Sequence, residues 1–107
     1  MKPKMINGYD HEKVAAKIAA EYDLSPDESG FILYLLENLP PIIARKSVES
    51  FFGGLISAKT LSNADSAGFG PEAAFKIGPN VAYRTDFLLR WLVERSGISQ
   101  LISIKTL

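Results

Sequence analysis

The sequence has no cysteine and one histidine. Without cysteine there is no disulfide framework, no thiolate nucleophile and no cysteine-based zinc site. One histidine, with no carboxylate pair set in a recognisable motif, leaves little from which to build acid–base or nucleophilic chemistry. An enzyme is therefore not expected, nor is a metal or other cofactor. Net charge is also lacking: 12 Lys and Arg are matched by 12 Asp and Glu, so long-range steering toward a polyanion is weak. No apolar run approaches the roughly 18 residues of a membrane-spanning helix. The opening MKPKMINGYDHEK has lysines but no apolar segment behind them, so a secretory signal is not expected and the cytoplasm is the expected location.

What remains is ordinary globular material. A chain of 107 residues with 47% hydrophobic and 22% charged residues is expected to form one domain, 1–107, around one modest core. The charge is unevenly placed. Residues 1–40 carry four lysines against seven acidic residues, and residues 41–95 carry seven Lys and Arg against five Asp and Glu.

In chain order, Asn7-Gly8 marks a turn. Val14, Ile18 and Tyr22 recur every fourth residue, which predicts a helix over 10–22 started by Asp10. His11, beside that cap, reads as a solvent-exposed first-turn residue. Ser25-Pro26-Asp27-Glu28 is the clearest helix start: Ser25 caps, Pro26 suits the first helical position and Glu28 closes a capping box. The helix that follows is apolar nearly all round, with Phe31, Ile32, Leu33, Tyr34, Leu35, Leu36 and Leu39. Such a helix is either buried between layers of its own chain or shared with a second one. Pro40-Pro41 ends it. Residues 10–41 thus form a helical extension ahead of a module over 42–95, and 96–107 is an apolar tail that is expected to dock.

In the module, Arg45 to Phe52 is expected to be a short helix with Val48, Phe51 and Phe52 inward. Gly53-Gly54 turns the chain into a second helix over 57–67, capped by Ser57 and closed by Gly68. Two helices joined by a tight Gly-containing turn form a helix-turn-helix. On the second helix Ala58, Leu61 and Ala64 face a core, while Lys59, Ser62, Asn63 and Ser66 recur at i, i+3, i+4 and i+7 on the opposite side. Alternation over 74–84 predicts a hairpin turning at Gly78-Pro79-Asn80, with Phe75, Ile77, Val81 and Tyr83 on one face. Thr85 is then expected to cap a helix from Asp86 to Ser96, with Phe87, Leu88, Trp91 and Leu92 as its apolar face. The fold expected is mainly α with a small β-hairpin wing.

Five short motifs occur in order: Phe52-Gly53, Ser57-Ala58-Lys59-Thr60-Leu61-Ser62-Asn63, Gly68-Phe69-Gly70-Pro71, Tyr83-Arg84 and Leu88-Leu89-Arg90-Trp91-Leu92. Over residues 42–95 this series resembles the excisionase-like winged helix-turn-helix family of the MerR-like superfamily, small DNA-binding regulators of phages and mobile elements. It departs from that pattern at Ala44, where Thr or Ser is usual, at Ala64, where an aromatic is common, and at the wing tip, which lacks arginine. The resemblance implies double-stranded DNA as partner. Asn63 would read a base and Lys59 a base or phosphate, with Ser62 and Ser66 beside them. Arg45, Lys46, Lys76 and Arg84 would contact phosphates. The other function class is a winged-helix module for protein contacts or self-assembly, suggested by the zero net charge and the apolar helix 31–39. A homodimer or DNA-templated oligomer through residues 26–39 and the tail is the expected assembly.

Overall fold

The computed structural model describes residues 10–101; the Asn7-Gly8 turn and the tail beyond Leu101 lie outside them. Two capped helices come first. α1 (His11–Tyr22) begins at Asp10, whose Oδ1 accepts from the backbone N–H groups of Glu12 at 3.0 Å and Lys13 at 3.3 Å. His11 is half-buried there rather than open to solvent. α2 (Pro26–Asn38) opens on the expected capping box: Ser25 Oγ accepts from the Glu28 N–H at 3.1 Å, and Glu28 Oε1 accepts from the Ser25 N–H at 2.9 Å. These donors would otherwise have no partner within the helix.

α1 and α2 pack on each other and on the last helix, α5 (Thr85–Ser96). Ile18, Ile32, Leu36, Leu88 and Leu89 belong to the buried core. An ion pair between Arg90 Nε and Glu21 Oε1 at 3.0 Å and a hydrogen bond from the Tyr22 hydroxyl to Glu94 Oε1 at 3.3 Å tie α1 to α5 at the surface. The apolar circumference of α2 is only partly covered by the described residues, among which Phe31 and Tyr34 remain 49% and 60% exposed.

Beyond Pro40-Pro41 the chain forms a strand that sequence patterning did not predict, β1 (Ile42–Ala44). A 3-10 turn (Arg45–Ser47) and α3 (Val48–Phe51) replace the expected continuous helix, and Phe51 points outward at 48% exposure while Val48 and Phe52 are buried. α4 (Ala58–Ala67) follows the Gly53-Gly54 turn. The hairpin comprises β2 (Ala74–Ile77) and β3 (Asn80–Arg84). β3 is the centre of a three-stranded antiparallel sheet of order β1-β3-β2. The architecture is mainly helical, with a small open sheet and two helices ahead of the module.

Two expectations about the wing are corrected. Its turn has two residues, not three: Gly78, at φ 61, and Pro79 connect Ile77 to its partner Asn80. Gly78 tolerates a positive φ that a β-carbon would oppose, and this suits the tight two-residue turns of hairpins. Shortening the turn by one residue moves the pairing by one, and the side-chain period of a strand is two. Phe75 therefore stands opposite Ala82 and Ile77 opposite Asn80, while Tyr83 stands opposite Ala74. Phe75 and Ile77 are 57% and 69% exposed, on the face away from the fully buried Tyr83. Thr85, in turn, is not a cap. It is the first residue of α5 and fully buried; its hydroxyl donates to the Pro40 carbonyl and its N–H to the Pro41 carbonyl at 2.9 Å.

Candidate nucleic-acid interface

α4 is built to present one face. Ser57 Oγ accepts from the Thr60 N–H at 3.1 Å and starts the helix. At the other end Gly68 takes the left-handed conformation, its N–H donating to the Asp65 carbonyl and that of Phe69 to the Ala64 carbonyl at 2.8 Å. Both bonds together are the Schellman closure, which satisfies carbonyls the helix leaves over. Leu61 is fully buried, and Ala58 and Ala64 pack against the core beside it. Lys59, Asn63 and Ser66 are exposed and Ser62 is half-buried. These four side chains make no hydrogen bond or ion pair among the described residues.

The expected phosphate contacts divide into two kinds. Lys46 and Lys76 are exposed and form no ion pair among the described residues. The two arginines are engaged within the fold. Arg84 donates through Nη2 to Asp86 Oδ2 at 2.7 Å and through Nε to Asp86 Oδ1 at 3.1 Å, and its guanidinium lies 4.6 Å from the centre of the Phe87 ring. Its side chain is still 43% exposed. Arg45 donates through Nη2 to Asp65 Oδ2 at 2.5 Å and through Nε to the Tyr83 hydroxyl at 3.0 Å.

Asp65 was not singled out from sequence, yet it joins three elements. Its Oδ2 accepts from Arg45, at the start of the 3-10 turn, and from the Tyr83 hydroxyl in β3 at 2.6 Å. Burial pushes the Tyr83 phenol up to about 12, and the Asp65 carboxylate beside it adds to the rise. For Arg45 burial works against the charge, but the hydrogen bonds to Tyr83 and Asp65 more than restore it and its pKa is raised. The loop after α4 is shaped around the same carboxylate: a β-carbon on Gly70 would come within 1.8 Å of Asp65 Oδ1. Trp91 holds that loop from below, its indole N–H donating to the Phe69 carbonyl at 2.7 Å.

No family model, curated protein or solved structure matches this chain. The fold is of the winged-helix type in general, and the four-residue row on α4 is a polar surface without partners among the described residues. Among the described residues no group of three or more His, Asp or Glu is placed to hold a metal ion, and no helix is long and apolar enough to cross a membrane. The sequence did carry a signal for Asp65. It lies four residues after Leu61, on the inward side of α4, and a carboxylate on a core-facing stripe requires a partner.

Proposed function

We propose that this protein binds double-stranded DNA, with α4 in the major groove and the β2–β3 hairpin as a wing against the flanking backbone, in the manner of the excisionase-like regulators it resembles. The observation that carries this reading is the row of Lys59, Ser62, Asn63 and Ser66, without partners among the described residues, on the second helix of a helix-turn-helix. Helices in that position present their N-terminal residues to base edges. Asn63 has the amide that pairs with adenine N6 and N7, and Lys59 reaches a guanine or a phosphate. Lys46 and Lys76 supply the backbone contacts, while Arg84 stays paired with Asp86. The test is a titration of a fluorescent mixed-sequence duplex at low salt, repeated at higher salt. Binding that weakens with salt is expected, and no binding at low salt would sink the reading.

A second reading, a module for protein contacts, is favoured by a different observation. Phe31, Tyr34 and Leu55 stay 49%, 60% and 70% exposed. A homodimer or DNA-templated oligomer through residues 26–39 would cover Phe31 and Tyr34. Sedimentation at micromolar concentration with and without duplex tests this; a monomer in both conditions removes it.

A further inference from the structure

Arg45, Asp65 and Tyr83 come from three separate elements and converge on a single carboxylate oxygen, Asp65 Oδ2. α4 otherwise buries only Leu61 fully. A ten-residue helix with one fully buried anchor needs a directional contact to hold its rotation about its own axis, because apolar packing is not directional. A charge-assisted pair from Arg45 and a short hydroxyl bond from Tyr83 provide that direction. Gly70 closes the arrangement from the opposite side, since the loop after α4 passes where only a hydrogen fits beside Asp65 Oδ1.

We propose that Asp65 is a positioning residue: by gripping Arg45 and Tyr83 it sets the angle of α4 against the sheet, and with it where Lys59 and Asn63 meet a duplex. The second half of this statement rests on the DNA reading above; the first does not. Arg45 is accordingly a part of the clamp and not a phosphate contact. The wing and the recognition helix move as one body, because Tyr83 belongs to β3 and Asp65 to α4.

The test uses the full chain, whose lack of cysteine allows paired spin labels on I42C, in β1, and A67C, at the end of α4. The distance distribution between them should be narrow in the parent. It should broaden in D65A, in G70A, which pushes the carboxylate aside, and to a lesser degree in Y83F, which removes only the hydroxyl. The double variant D65A/G70A should be no broader than D65A alone, since the steric clash has lost its partner. Duplex affinity, measured without labels, should fall at least about fivefold in D65A and G70A, again without adding in the double variant. Should D65A fail to fold cooperatively, Y83F and G70A carry the same measurement. Unchanged distance distributions, or fully additive effects, overturn the proposal. So does tighter, more salt-dependent binding in D65A, which would mean that Asp65 withholds Arg45 from phosphate. If the parent binds no duplex, the DNA reading fails, and the distance measurement still decides the clamp.

Discussion

Tyr83 stands directly opposite Ile43 across the β1–β3 ladder, and both are fully buried. The ring of Tyr83 is therefore core, while its hydroxyl reaches Asp65 and Arg45 at the edge of that core. The folded state keeps the phenol neutral, with its pKa raised from 10.0 to about 12. The stabilisation is present in full below pH 10 and is lost as pH rises through 12. A two-unit shift corresponds to about 2–3 kcal/mol. Urea unfolding of parent and Y83F between pH 9 and 12 checks it: the parent should lose about that much more than Y83F over the interval.

Leu61 is the single fully buried residue of α4. L61A should cost about 2–5 kcal/mol, the range for removing a buried leucine side chain and leaving a cavity. Chemical denaturation measures it. A loss below about 1 kcal/mol would mean that α4 is held by its polar clamp and not by this anchor.

Asn63 is exposed and makes no hydrogen bond among the described residues, so N63A should leave stability unchanged. Against a specific site selected from random duplexes it should cost roughly 1–3 kcal/mol and relax preference at one base pair. Unchanged specific affinity in a folded N63A would show that Asn63 reads no base.

Arg84 should behave in the opposite way. Asp86 is largely buried and accepts two hydrogen bonds from the Arg84 guanidinium, beside one from the Phe87 N–H. R84A leaves that carboxylate without its cation and should destabilise the fold by about 1–3 kcal/mol. Thermal unfolding of R84A beside N63A separates the two roles.

With Arg45 and Arg84 occupied, the interface offers Lys46, Lys59 and Lys76 as cations that form no ion pair among the described residues. The slope of log affinity against log salt on mixed-sequence duplex should be about −3, close to 0.9 per neutralised phosphate. K46A, K59A and K76A should each flatten it by about one unit. A slope of about −4.5, for five neutralised phosphates, would mean that the paired arginines open to meet DNA.

Much of this protein was legible in one dimension, wherever the controlling interaction is local. Asp10, Ser25, Glu28 and Ser57 act on backbone groups two or three residues away, and each does in the structure what its position predicts. The 3.6-residue period likewise determined which side of α4 buries Leu61 and which carries Lys59 and Asn63. Tertiary structure decided the features that depend on residues far apart in sequence. β1 is three residues long, too short for alternation to show, and exists because β3 offers an edge to pair with. Thr85 passes over the capping role because the Pro40 carbonyl, 45 residues away, is close enough to accept its hydroxyl. The wing faces turned on a single residue of turn length, which alternation alone leaves open by one step. Arg45 looks like an ordinary surface charge in sequence, and Asp65, four residues after Leu61, shows only that it needs a partner, not which one. Only the fold brings them to one another and to Tyr83, because the loss of solvation on partial burial makes each the best available partner for the other.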